Sequence, residues 1–177
     1  TAVGIGKVPE AQLDVRGTFR APGTIVQVKQ AVKKDTQSTT VGSPVDVSGL
    51  SVTIYPKFSN SKILVSYQVN MGANYHVFLR VVRTQNGVAT LVGTGNAAGN
   101  RPEATSYQSH SHVNDMKSMN MEILDSANET DAIEYKVQFW VAAATHYTAF
   151  INRAMNSGDN VYYAHLSSSI TVKEVCQ

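Results

Sequence analysis

The residues with the most chemical potential in this chain are its histidines, carboxylates and tyrosines, and spacing decides what each group can do. His110 and His112 form an H-x-H pair, and on a strand alternate side chains share one face, so both imidazoles would point the same way. Two nitrogens from one chain fall short of the ligand set of a zinc site. Three copies of the pair around a threefold axis would supply enough imidazole for a transition metal. Two exposed loop histidines are the plainer reading, and no metal or other cofactor is expected. His76, beside Val77 and Phe78, reads as a strand residue facing solvent or a neighbouring subunit.

Thirteen carboxylates are spread along the chain. A glycosidase needs two of them held about 5 to 10 Å apart across a sugar cleft, and no spacing here selects such a pair. No G-x-S-x-G elbow is present to expose a serine nucleophile. Gly4-Ile5-Gly6-Lys7 is followed by Val8 and Pro9, not by the Ser or Thr and the helix that a phosphate loop requires. The residues therefore point away from an enzyme. Cys176 is the single cysteine, which excludes an internal disulfide framework and reads as an inert thiol at the last strand. Eight tyrosines offer apolar faces with a hydroxyl, suited to sugars and subunit interfaces alike.

These groups must be positioned by strands. Charged residues make up 16% of the chain and the net charge is +2, against about 25% charged in ordinary soluble domains. This balance gives no footprint for nucleic acid. The longest apolar runs are far short of the ~20 residues that a spanning helix needs, so membrane insertion is not expected. The chain begins with Thr1 rather than Met, as a processed product or part of a longer polypeptide would.

From Gly23 onward, apolar and polar residues alternate with the period of half-buried strands. "TIVQVKQAVKK", "VDVSGLSVTIYP", "KILVSYQVNM", "YHVFLRVVR", "IEYKVQFWVAAA" and "SSSITVKEV" all carry it. Ser48-Gly49 interrupts the phase of the second segment, which predicts a bulge or bend. Asn86-Gly87 predicts a type I′ hairpin between the strand ending near Arg83 and the one from Val88 to Val92. The stretch Gly93 to Lys117 lacks sustained periodicity and is long for a loop. Asn152-Arg153 and Gly99-Asn100-Arg101 place arginines in polar settings, free to pair with carboxylates across subunits. The sum is eight or nine strands in an all-β, jelly-roll-like antiparallel sandwich.

The first 22 residues differ. Leu13, Val15 and Phe19 alternate with Asp14, Arg16 and Thr18, and a segment with so few apolar groups does not fold alone in water. "VGIGKVPEAQLDVRGTFRA" resembles the "GIG…P…LDV-G-…A" neck segment of bacteriophage tail-fibre and head-fibre proteins. Gly4-Ile5-Gly6, Pro9, Leu13-Asp14-Val15, Gly17 and Ala21 fall in place. The resemblance implies a trimerising neck over residues 1–22, with Ile5, Pro9, Leu13, Val15 and Phe19 at its contacts, and a β-sandwich head over residues 23–177. It implies a homotrimeric appendage on the outside of a virion, joined to other virion proteins through its N-terminal side. Its head would contact a host-surface glycan or protein. The family's contact residues do not carry over, and the candidate contacts are read from this chain's own non-periodic loop: Asn96, Asn100, Arg101, Tyr107, His110 and His112. The alternatives are a structural capsid or tail connector, and a polysaccharide-degrading tailspike.

Overall fold

Alternating side chains force each strand to choose a buried face, and here two sheets answer that demand by closing on each other. The computed structural model describes residues 3–5, 13–15, 20–142 and 146–177. Eight strands have five residues or more: β3 (Ile25–Lys33), β5 (Val45–Ile54), β6 (Lys62–Ala73), β7 (His76–Gln85), β8 (Val88–Val92), β10 (Met116–Asp125), β11 (Ile133–Val141) and β13 (Ser168–Val175). The short ones are β1 (Val3–Ile5), β2 (Leu13–Val15), β4 (Gln37–Thr39), β9 (Ser106–Ser109) and β12 (Ala149–Ile151).

One sheet runs β3-β13-β6-β10 and the other β5-β11-β7-β8, and every pairing within them is antiparallel. Numbered by chain order, the long strands lie first-eighth-third-sixth in one sheet and second-seventh-fourth-fifth in the other. That order is the double Greek key of a jelly roll, as the alternation led us to expect. Two short strands extend the first sheet: β12 pairs with β6 beyond the end of β13, and β4 pairs with β12. In the second sheet β9 takes over from β8 along the edge of β7.

The core follows from the period of two. On β6, Ile63, Val65, Tyr67, Val69 and Met71 face inward, and on β11 Ile133, Tyr135, Val137 and Phe139 meet them. Leu50, Val52 and Ile54 of β5, Leu79 and Val81 of β7, and Ile170 and Val172 of β13 complete the layer. Burying each of these large side chains contributes about 1.5 to 3 kcal/mol relative to exposure. Gly49 sits at a φ of 79°, and Val47 to Leu50 lie across from Val137 where the β5–β11 register slips. The expected bulge is there. Asn86 and Gly87 take φ values of 51° and 76°, the paired left-handed geometry of a type I′ turn.

The topology also sorts the connections by end. Segments 34–44 and 74–75 join strands at one end of the sandwich, the end where β11 finishes and β13 begins, and 93–115 leaves the edge of β7 and returns there. Segments 55–61, 86–87 and 126–132 lie at the other end. That second end also receives the N-terminal side of the chain. Gly23 N–H donates to Cys176 O at 2.8 Å, and Cys176 N–H donates to Thr24 O at 2.9 Å. The Arg20 guanidinium lies 4.6 Å from the Phe58 ring centroid and donates to Asn60 Oδ1. Glu174, buried on β13, accepts from Gln27 Nε2 and from the N–H groups of Lys57 and Phe58. It thereby pins the 55–61 connection. Cys176 is a buried free thiol just past β13.

In the N-terminal part, β1 and β2 pair in parallel, Val3 opposite Leu13 and Ile5 opposite Val15. Pro9 and Phe19, expected at neck contacts, lie outside the described residues, as does the rest of the Gly6-Lys7 motif.

Candidate functional site

The outer face of the second sheet carries a row of aromatic rings that no spacing along the chain announces. Outward positions of β7 are His76, Phe78 and Arg80, and those of β11 are Gln138 and Trp140. Register sets Trp140 opposite Phe78, and Phe78 opposite Tyr107 of β9. The Trp140 and Phe78 rings stack at 5.2 Å with planes 17° apart, and the Phe78 and Tyr107 rings are 5.4 Å apart. Tyr107 is half exposed while Trp140 is buried, so the row slopes from the sheet's interior to solvent.

The row is held from both sides. Tyr107 OH and His76 Nδ1 are hydrogen-bonded at 2.7 Å. His76 in turn packs on Tyr75, which stacks on Tyr147 at 4.0 Å. The Arg80 guanidinium lies 5.8 Å from the Trp140 ring and donates through Nε to Gln138 Oε1 at 2.8 Å. Gln138 Nε2 and Lys136 Nζ both donate to Asp46. Burial alone would raise the Asp46 carboxyl, but these hydrogen bonds outweigh it and hold it below the usual carboxylate value.

From behind, Tyr67 of β6 reaches across the sandwich to place β9. Its hydroxyl bonds Thr105 Oγ1 at 2.8 Å and Ser106 Oγ at 2.6 Å, and burial raises its phenol against those bonds. Thr105 N–H also donates to Leu79 O. Tyr107 follows one residue after that anchor.

Over the row, residues 100–104 form a wall. A groove of about 480 Å³ is bounded by Phe78, Arg101, Pro102, Ala104, Thr105, Ser106 and Tyr107. A second hollow of about 350 Å³ shares Phe78 and Pro102 with it and adds Trp140, Asn100, Gly42 and Ala142. Together they make one trough.

The structure gathers part of the expected contact loop here and disperses the rest. Asn100, Arg101 and Tyr107 border the trough, and Asn96 is exposed on the same excursion. Tyr107 stands on a strand rather than in a loop, because β9 forms inside the stretch that carries no periodicity. His110 is no surface contact: it is 3% exposed, with neither ring nitrogen hydrogen-bonded. His112 is exposed and its Nδ1 accepts from Asn114 N–H. The pair therefore does not present two rings on one open face. Among the described residues no three His, Cys, Asp or Glu side chains converge on a metal-sized space.

Arg153 also departs from expectation. Its guanidinium lies 4.1 Å from the Phe150 ring and donates to Ala154 O and Met155 O, so it binds within its own chain. Elsewhere, Ser157 Oγ and His165 Nε2 are 3.1 Å apart beside Asp159 in a hollow of about 340 Å³. Ser157 is half-buried and His165 exposed, and among the described residues no carboxylate hydrogen-bonds that imidazole. Without an orienting partner the pair lacks the third member of a nucleophile-activating triad.

No family model matches this chain, and no curated protein sequence does. Among solved structures, the chain is similar to that of the infectious bursal disease virus Gt strain, at 13% identity and a TM-score of 0.37. The match covers 98% of this chain and 42% of that one. The VP2 subviral particle of the same virus gives 11% identity, a TM-score of 0.37 and coverages of 98% and 42%. This chain thus spans less than half the length of these neighbours, and a likeness at such scores carries no argument about its role.

Proposed function

We propose that this chain is a non-enzymatic structural protein of a virion, a homotrimeric appendage held by its N-terminal side and touching the host surface with the opposite end. The observation that carries the reading is the polarity of the sandwich. The chain enters beside Cys176 and the 55–61 connection, while the longest connections and the aromatic trough belong to the far end and the outer face. A domain fixed at one end presents the other to a partner. Threefold association would multiply weak contacts, raising avidity by roughly 10² to 10⁴ over a single site. The neck resemblance of residues 1–22 supplies the trimer and the virion setting.

Two measurements test this. Sedimentation of the chain at micromolar concentration should give a trimer, and a monomer would count decisively against it. The isolated protein should be retained by host cells and released by competing surface extract; absence of retention would sink the attachment role.

One observation favours a connector instead. The outer side of the first sheet exposes Val28, Val32 and Leu124 to about half their full extent, an apolar set suited to another virion protein. Co-purification with particle proteins, without retention by host cells, would select that reading.

A further inference from the structure

We propose that the trough over Phe78 and Tyr107 binds an acidic saccharide, a pyranose ring bearing a carboxylate. The inference deepens the attachment reading and rests on it only for the biological source of the ligand.

Three features select this chemistry. First, a pyranose has one C–H face that packs on an aromatic ring, and aromatic surfaces offer that contact without reorganisation. Phe78 and Tyr107 provide two such rings side by side. They are held in place by the Trp140 stack on one flank and the His76 hydrogen bond on the other. Sites preordered in this way lose little freedom on binding.

Second, the rim is polar and unsatisfied where a sugar's hydroxyls would lie. The Asn100 amide is exposed and has no hydrogen-bond partner among the described residues. Thr105 and Ser106 also border the groove, but their hydroxyls are bonded to Tyr67 and, for Thr105, to Leu79 O behind it, so Asn100 is the polar group left free for a sugar. Apolar walls with a few placed polar groups are the usual make-up of a ligand site, and both volumes fall within the usual size.

Third, charge decides between neutral and acidic sugars. Arg101 is the only charged side chain bordering either volume, and it is exposed with no ion-pair partner among the described residues. A guanidinium so placed matches a carboxylate bidentately. The nearby Asp46 is already engaged by Lys136 and Gln138, and Glu103 in the same wall acts on Arg80, so neither pairs with Arg101 among the described residues.

The protein contains a single tryptophan, Trp140 in the aromatic row, which makes its fluorescence a reporter of the site. The intact chain is titrated with oligogalacturonate, a glucuronate-containing oligosaccharide and a sialyl oligosaccharide, alongside the methyl ester of each. At least one acid should shift Trp140 emission saturably at millimolar concentration, and its ester should bind about tenfold more weakly, one factor of ten being the scale of one good charged hydrogen bond. Arg101→Ala should erase the difference between acid and ester, and Tyr107→Ala should weaken both. No saturable shift with any of the acids, equal binding of acid and ester, or full discrimination retained in Arg101→Ala would each overturn the proposal. Trimer formation and cell retention are read on separate samples, so the attachment reading can fail while the sugar site stands, and the reverse.

Discussion

The Ser168 hydroxyl donates a 2.6 Å hydrogen bond to Asn152 Oδ1, both residues being buried, at the point where β6 changes partner from β13 to β12. Asn152 stands at a φ of 64°, and its Nδ2 donates to the carbonyls of Lys33 and Asp35 at 2.9 Å each. Its backbone N–H continues the ladder to Asn70 O, and Asn70 N–H donates to Ser168 Oγ. One amide thus closes the gap between two strand ends.

Asn152→Ala removes both amide donors and puts in the left-handed region a residue without the local polar contacts that let asparagine occupy it. We expect a loss of about 3 kcal/mol or more, the sum of unsatisfied buried carbonyls and left-handed strain. Asn152→Gly keeps the backbone geometry and should lose about 1 to 2 kcal/mol less. Denaturant midpoints measure both, and two variants that unfold together with the unaltered protein would remove Asn152 from this role.

Asp125 joins the sheets at their other end. Its carboxylate takes Arg83 Nη1 at 2.9 and 3.1 Å and the Tyr135 hydroxyl at 2.8 Å, with both ion-pair side chains mostly buried. Asp125→Ala leaves Arg83 charged and unpartnered, which costs about 3 kcal/mol in comparable buried pairs. Burial and the adjacent carboxylate push the Tyr135 phenol far above its ordinary value, so absorbance at alkaline pH should show Tyr135 ionising only with unfolding. Titration of that phenol in the folded protein, or a harmless Asp125→Ala, would contradict the clamp.

Tyr67→Phe keeps the core ring and deletes the hydroxyl that bonds Thr105 and Ser106. The global loss should be modest, about 1 kcal/mol. The local effect should be larger: amide exchange at residues 105–108 should speed up, because β9 is a four-residue edge strand with little else to hold it. Unchanged exchange there would mean that β9 is placed by its ladder with β7 alone.

The strands that bury one face were legible because alternation reports burial directly. Ile63, Val65, Tyr67 and Val69 of β6 show it plainly, and Asn86-Gly87 and Ser48-Gly49 marked a turn and a bulge through the backbone they require. What escaped notice lacks such a signal. Ser106 to Ser109 forms a strand with no buried residue, so no periodicity betrays it. The Trp140–Phe78–Tyr107 row is made by register between residues far apart in the chain, which spacing does not encode. Asn152 and Ser168 look like turn residues until the sheet closes around them. His110 looks like its exposed neighbour His112, because burial there depends on how residues 110–117 fold back over Tyr75, whose carbonyl accepts from His110 N–H.

His110 and Glu174 contribute to acid stability in separate windows, Glu174 sharing the lower one with Asp35, Asp46 and Asp115, whose carboxyls are also held below their ordinary values. Burial first, then the nearby Lys117, hold the His110 imidazole below its ordinary value of 6.5, against an opposing pull from Asp115. The unfolded chain therefore binds the proton more readily than the folded one, and stability rises with pH in that range. The His110 contribution is complete above about pH 6.5 and declines as pH falls toward the depressed folded value. Glu174 behaves likewise at lower pH: burial would raise it, but the bonds from Gln27, Lys57 and Phe58 hold it below its ordinary 4.5, so its contribution is lost as pH drops from 4.5 toward that lower value. Denaturant midpoints across the acid range should show two declines. His110→Leu should flatten only the first, and Glu174→Gln should reduce only the second, after an overall loss from weaker bonding to the two N–H groups. A His110→Leu protein with an unaltered profile near pH 6 would show that the imidazole is solvated in solution, and that residues 110–117 do not seal over it.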